Sequence, residues 1–145
     1  MSYCYLDDIA TADVAFEARG SSMEELFISA ANAVINVMVE NLDDIDRKKR
    51  KSIPCEADSR EMLLFHLLDE LVYYKDAEQL LLRVSEVNIK KSKNGKLWRL
   101  TAQAYGEQIN SERHELNVDV KAVTFHRFAV EQTGQGWKAV VVLDV

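Results

Sequence analysis

At 145 residues, with 48% hydrophobic and 29% charged residues, the chain has the size and balance of one globular domain, expected to span residues 1–145. Its formal net charge of −6, from 18 Lys+Arg against 24 Asp+Glu, argues against nucleic-acid binding by bulk electrostatics, because that mode neutralises phosphates with clustered Lys and Arg. One Pro and five Gly exclude collagen-like or Pro-rich character, and two Cys are too few for a disulfide scaffold.

The opening residues, Met1-Ser2-Tyr3-Cys4-Tyr5-Leu6-Asp7-Asp8, have no basic n-region and no apolar h-region, so they do not read as a secretory signal. No apolar run approaches the roughly 20 residues of a bilayer span. The expectation is a soluble, cytoplasmic protein away from membranes. Cys4 and Cys55 form no Cys-x-x-Cys pair and are expected as buried thiols of a reducing compartment.

A first strand is predicted over 14–18, where Val14, Phe16 and Ala18 share one face by period two. Gly20 ends it. Ser21 and Ser22 offer overlapping capping boxes with Glu24 and Glu25. The helix that follows carries Met23, Leu26, Phe27, Ala30, Ala31, Val34, Ile35 and Met38 on one apolar stripe, expected as core. The acidic Asp43, Asp44 and Asp46 meet the basic run Arg47 to Lys51, which reads as a solvated turn and a strand start. That run is also the one place where nucleic acid or an acidic partner could dock.

A second helix should start near Asp58 or Ser59, with Glu61 as the box partner of Asp58. Met62, Leu64, Phe65, Leu67, Leu68, Leu71 and Val72 mark its apolar face. From Leu80 the period shifts towards two. Asn94-Gly95 predicts a type I′ hairpin joining strands over 82–91 and 96–105. Extended segments are predicted over 118–131, with a break, and over 137–145. The last is nearly all apolar, so it should be central and covered on both faces. The fold class is α+β, a largely antiparallel sheet system packed by two amphipathic helices.

The chemistry-bearing candidates are few. There is no Gly-rich phosphate loop, no Gly-x-Ser-x-Gly elbow and no His-Glu-x-x-His. Asp13 precedes the first strand, Asp144 ends the last, and Val145 carries a carboxylate at the end of the sequence. An Asp beside the run Ala139-Val140-Val141-Val142-Leu143 is poorly solvated unless its charge is compensated. A cation held by oxygen ligands would compensate it, and Mg²⁺ or Ca²⁺ suits such a set. The simpler alternative is a capping Asp13 and an exposed Asp144. In Lys121-Ala122-Val123-Thr124-Phe125-His126, Lys121 and His126 offer donors to an anionic group or a partner.

Several strings together resemble the archease family. They are Thr11-Ala12-Asp13-Val14, Glu24-Glu25-Leu26-Phe27, Leu68-Asp69-Glu70-Leu71, Gly106-Glu107, Arg113-His114, Val120 through His126, and the closing Val142-Leu143-Asp144-Val145. They run from end to end of the chain, and Lys-Ala-Val-Thr-Phe-His with a closing Leu-Asp-Val is the most specific part. The resemblance implies a single-domain, non-catalytic protein cofactor of the GTP-dependent RNA-splicing ligase, acting in tRNA splicing and RNA ligation. It would promote guanylylation of the ligase's active-site histidine and so support multiple turnover. The resemblance also implies a divalent-metal site, calcium or Mg²⁺/Mn²⁺, on Asp13, Asp144 and Val145.

Partners implied are the ligase and, beyond it, an RNA helicase or other RNA-processing proteins; direct RNA binding is not the primary reading. Many members carry His-Thr-Ala-Asp where this chain has Ala10-Thr11-Ala12-Asp13, so a role for that histidine does not carry over. Asp7 and Asp8 are the acids that could stand near the site in its place. The alternative function is a chaperone or modulator of RNA-processing proteins, for which the acidic balance suits basic partners. A stand-alone metal-dependent hydrolase lacks a recognisable nucleophile or base.

Overall fold

The first helix forms where its stripe predicts. In the computed structural model, which describes residues 2–6 and 13–145, α1 spans Met23–Met38 and every stripe residue is buried. Ser22 is the N-cap, its hydroxyl accepting from the Glu25 N–H at 3.1 Å. The Glu25 carboxylate reaches back to Ser21, accepting from its N–H at 2.9 Å and from its hydroxyl. Of the two predicted boxes only the Ser22/Glu25 one is used, with Glu25 reaching back to Ser21 instead of Ser22, and among the described residues no Ser21–Glu24 bond forms.

The second helix, α2, spans Arg60–Glu78. Its cap is Ser59, whose hydroxyl accepts from the Met62 N–H at 3.2 Å, and not Asp58. Ser59 is the residue held in extended backbone one step before the helix, so its side chain is the one that meets the third helical N–H. Leu63 is buried along with Leu64, Leu67, Leu68, Leu71 and Val72, whereas Met62 and Phe65 are half-buried. The buried arc is broad because α2 packs against strands of both sheets.

One antiparallel sheet contains β1 (Ser2–Leu6), β2 (Asp13–Gly20) and β8 (Gly136–Asp144), in that order. Two short strands, β6 (Ala122–Val123) and β7 (Ala129–Thr133), follow one another along the far edge of β8. The second sheet is antiparallel in the order β3 (Lys49–Ala57), β5 (Trp98–Gln108), β4 (Leu80–Lys91). α1 packs on β2, β8 and β4, and α2 on β3, β4, β5 and β6, so each helix joins the two sheets through one core. The architecture is α+β, as expected. β8 is central, and Val141 and Val142, on its opposite faces, are both fully buried.

The strand predicted as the first is the second, because β1 (Ser2–Leu6) precedes it and pairs with it, and two further expectations need correction. Asn94-Gly95 does not make a type I′ turn. Gly95 has φ +72°, but Asn94 is not in the left-handed region. The loop is longer: the Ser92 N–H donates to the Leu97 carbonyl at 2.8 Å and the Gly95 N–H to the Ser92 carbonyl at 2.9 Å. The Asn94 Oδ1 accepts from the Lys96 N–H at 3.0 Å, which lets Asn94 serve the turn with its side chain. The second correction is Cys4, which is exposed. It lies opposite Glu17 on the edge strand β1, whereas its neighbours Tyr3 and Tyr5 turn to α1 and hydrogen-bond Asn36. Cys55 is half-buried, and burial pushes its thiol up to about 11.

The end of β5 carries a buried ion network. The Glu107 Oε2 accepts from the Asp46 N–H at 2.6 Å, from the Arg113 guanidinium, and from His114 Nε2 at 3.1 Å. Lys48 Nζ lies 3.5 Å from the other oxygen. His114 Nδ1 accepts from the Asn110 N–H at 3.0 Å, so the ring's proton sits on Nε2, facing Glu107. Burial pushes the Glu107 carboxyl up, but these donors and the Arg113 charge outweigh it and hold it at about 2.

Candidate functional site: a carboxylate pair at one sheet end

β2 and β8 run antiparallel with Asp13 directly across from Asp144. Residues directly opposite in such a pair have Cβ atoms roughly 4.5–5.5 Å apart and share a face. Val14 and Leu143, one step inward, turn to the helices, as do Phe16 with Val141 and Ala18 with Ala139. By alternation the two carboxylates point to the other face, in line with Ala15 and Val142. Asp144 is exposed and Asp13 half-buried. Two like charges directly opposite cost stability, and among the described residues neither carboxylate has an ion-pair partner.

The other flank of Asp144 is built by the segment that leads into β6. The Lys121 N–H donates to the Asp144 carbonyl at 2.8 Å, and Ala122 stands across from Asp144. Thr124 clamps the next level: its N–H and hydroxyl both donate to the Val142 carbonyl, at 3.1 and 2.9 Å. The segment is anchored from behind by Lys75 of α2, which is buried. Its ammonium donates to Asp119 at 2.6 Å, to the Val120 carbonyl at 2.8 Å and to Asp76. Burial pushes the Lys75 ammonium's pKa down, but the two carboxylates more than reverse this and leave it raised.

The predicted residues do not all converge. Asp13, Asp144 and the Lys121 backbone do. The Lys121 side chain is exposed and, by alternation, leaves on the face opposite the carboxylates. His126 sits in an excursion over 124–128 between β6 and β7, where Arg127 takes φ +54°. Its N–H donates to Thr124 Oγ1 at 3.3 Å. The excursion falls between the levels of Val142 and Val140, about three residues or roughly 10 Å along β8 from Asp144. Phe125 there is 62% exposed yet stacks on Phe65 of α2 at 4.1 Å between centroids. Asp7, Asp8 and Ala10-Thr11-Ala12 lie outside the described residues.

The oxygens at this end suit a hard cation. The two carboxylates supply side-chain oxygens, and Val145, which follows Asp144 and packs against the core, would add backbone oxygen. No cluster of three or more His, Cys, Asp or Glu occurs among the described residues. The protein ligands present would therefore leave positions for water or for a partner's group. Two features of this neighbourhood escaped the sequence reading: the Lys75 anchor and the Phe65–Phe125 stack. A lysine seated amid the apolar positions of α2 was the available signal for the first.

The sequence matches the model of the Archease protein family (MTH1598/TM1083) over residues 3–145. It is 37% identical to the protein archease of Pyrococcus abyssi over 136 residues, 93% of this chain and 94% of that protein. It is 34% identical to the protein archease of Methanosarcina barkeri over 143 residues, 99% and 95% of the two chains. The solution structure of Methanobacterium thermoautotrophicum protein 1598 superimposes with a TM-score of 0.84 at 33% identity, covering 99% of this chain and 98% of that one. The crystal structure of a Thermotoga maritima archease, described as a possible chaperone, shares the fold with a TM-score of 0.64 at 22% identity, over 94% and 93% of the chains. Among the described residues, no helix is long and apolar enough to cross a membrane.

Proposed function

The chain belongs to the archease family, and on that footing we propose that it is an accessory protein that activates a GTP-dependent RNA-splicing ligase. It promotes guanylylation of the ligase's active-site histidine, and so repeated turnover in tRNA splicing and RNA repair. The observation that carries this reading is the opposition of Asp13 and Asp144, without an ion-pair partner among the described residues, at an exposed sheet end. That opposition costs the fold stability, which a ligand joining the two charges would offset.

A divalent cation bound there, Ca²⁺ or Mg²⁺/Mn²⁺, would supply charge neutralisation beside a triphosphate. The chain's own part is positional. β2 and β8 fix the spacing of the carboxylates through their register. Lys75 locks the residues leading into β6, and the Lys121 N–H holds the Asp144 carbonyl. Lys121, on the opposite face, and His126, in the excursion after β6, are exposed donors outside the carboxylate pair, available to a partner's anionic groups. Phe125 offers an apolar contact beside them. Preorganisation of this kind spares the complex the cost of ordering a charged site on docking. The chain acts as a non-catalytic cofactor and leaves bond-making to the ligase.

Transfer of radiolabelled guanylate from GTP to the cognate ligase tests the reading. Substoichiometric wild-type chain is expected to raise the labelled fraction. Equal labelling with and without the chain would overturn it. A second reading, a modulator of RNA-processing proteins that extends to a helicase, draws support from the Thermotoga relative's description as a possible chaperone. The net charge of −6 suits basic clients. Suppressed aggregation of several RNA-modifying proteins, without stimulation of the ligase, would favour it.

A further inference from the structure

The acidic total hides a basic pole. Residues 87–106 hold Lys90, Lys91, Lys93, Lys96 and Arg99 and not one Asp or Glu. They fold into the β4–β5 hairpin, and all five side chains are exposed. Lys90 stands directly across from Arg99, a like-charge cross-strand pair that costs stability on its own. Among the described residues the four lysines have no acidic partner; Lys91 lies over the Trp98 ring at 4.9 Å, and Arg99 meets Glu56 at 3.0 Å.

The basic run singled out in the sequence behaves differently. Arg47 lies over Tyr105, Lys48 reaches Glu107, and Lys51 reaches Glu78. Three of its five side chains are thus partnered, although Arg47 to Arg50 are exposed, and the run lies at the other end of the same sheet, where Lys49 stands across from Gly106.

The hairpin is also remote from the carboxylate pair. Trp98 shares a surface groove with Trp137, Ser21 and Ser22, which adjoin Gly20 at the far end of β2 from Asp13. The eight residues of β2 separate the poles by about 23 Å along the strand. On the outer face beside the hairpin lies an open groove of about 650 Å³. Lys90, Lys93 and Arg99 line it with the polar Asn88 and Thr101, and Glu86 closes the end away from the tip. The turn that presents the lysines is stapled: Ser92 Oγ accepts from the Leu97 N–H at 3.0 Å and donates to Asn94 Oδ1 at 2.7 Å.

The geometry points to this hairpin as a docking surface for the phosphodiester backbone of a nucleic-acid strand, read by charge and not by sequence. Phosphates suit it better than an acidic protein surface. Lysines act as point charges, and the groove adds neutral donors that can reach sugar and phosphate oxygens. The two aromatic rings nearby, Trp98 and Trp137, are already covered by Lys91 and Arg60, which leaves no stacking platform for base recognition. This surface stands independently of the accessory reading.

The test is anisotropy of a labelled twelve-nucleotide oligouridine against full-length chain from 50 to 200 mM salt. Five contacted phosphates give a slope near −3.5 in log affinity against log salt, and so about a 100-fold loss across that range. Lys93→Gln/Lys96→Gln should bind more weakly at 50 mM and lose only about 20-fold across it. The control Lys49→Gln/Arg50→Gln should keep the wild-type slope. Tighter binding of the RNA than of the matching DNA would assign the surface to RNA, and equal binding to either backbone. No binding at 50 mM, a slope unchanged by the hairpin substitutions, or an oligoglutamate of equal charge binding as tightly would overturn the proposal.

Discussion

Glu107 offers the sharpest test of how the loops beside β3 and β5 are held. Its carboxylate is the common acceptor for the Asp46 N–H, Arg113 and His114, and it is 3% exposed. Glu107→Gln keeps the shape and removes the charge. The folded-state value of about 2 lies below the ordinary 4.5. At about 1.4 kcal/mol per pK unit this is worth about 3 kcal/mol at pH 7. Because the value is depressed, that stability is present above pH 4.5 and lost as pH falls through about 2. The variant should therefore be less stable by about 3 kcal/mol at pH 7 and by roughly half of that or less at pH 3. Arg113 and Lys48 are partly exposed, so solvent screening makes the first figure an upper bound. Urea unfolding of both proteins at the two pH values measures it. A deficit that does not shrink on acidification would refute the reasoning, as would one below about 0.5 kcal/mol at pH 7.

Gly106→Ala should prevent accumulation of folded protein, since its Cβ would lie 1.7 Å from the Leu81 carbonyl oxygen, in backbone that cannot yield without separating β4 from β5; soluble yield and circular dichroism decide it. Lys75→Met leaves the Val120 carbonyl without its donor and should cost about 1–3 kcal/mol in urea unfolding, with no change in stability as the contrary result. Asp144→Asn relieves the opposition to Asp13 and should stabilise the chain by about 0.2–1 kcal/mol in chelator. With excess divalent ion the wild type should gain stability and the variant should not. Destabilisation in chelator would speak against repulsion between the pair.

Local pattern carried most of the fold. The α1 stripe is legible because every third or fourth residue must face the same core, and Ser22 is legible because capping is a short-range hydrogen bond. Single-residue choices between neighbouring donors were less legible: Asp58 and Ser59 differ by one step, and only the backbone angle at Ser59 decides between them. The Asn94-Gly95 turn was misjudged because side-chain bonds from Ser92 and Asn94 widen the loop, a competition that the dipeptide alone does not reveal. The pairing of Asp13 with Asp144 joins the two ends of the chain, and no local pattern sets such a register. Their places at strand ends and the family resemblance put the two residues together, and the β2–β8 register shows them opposed. The Glu107 network stayed hidden for the same reason, since Asp46 and Glu107 meet across 61 residues. The basic hairpin was legible in the acid-free stretch 87–106 but was masked by the net charge of −6.

The most direct measurement of the central claim is multiple-turnover ligation of RNA ends by the cognate ligase, with GTP and Mg²⁺ or Mn²⁺. Wild-type chain, Asp13→Ala and Asp144→Ala would each be added below the ligase concentration. Many turnovers with the wild type, and a return to the unassisted level with either folded variant, is the predicted result. Full stimulation by both variants would contradict it.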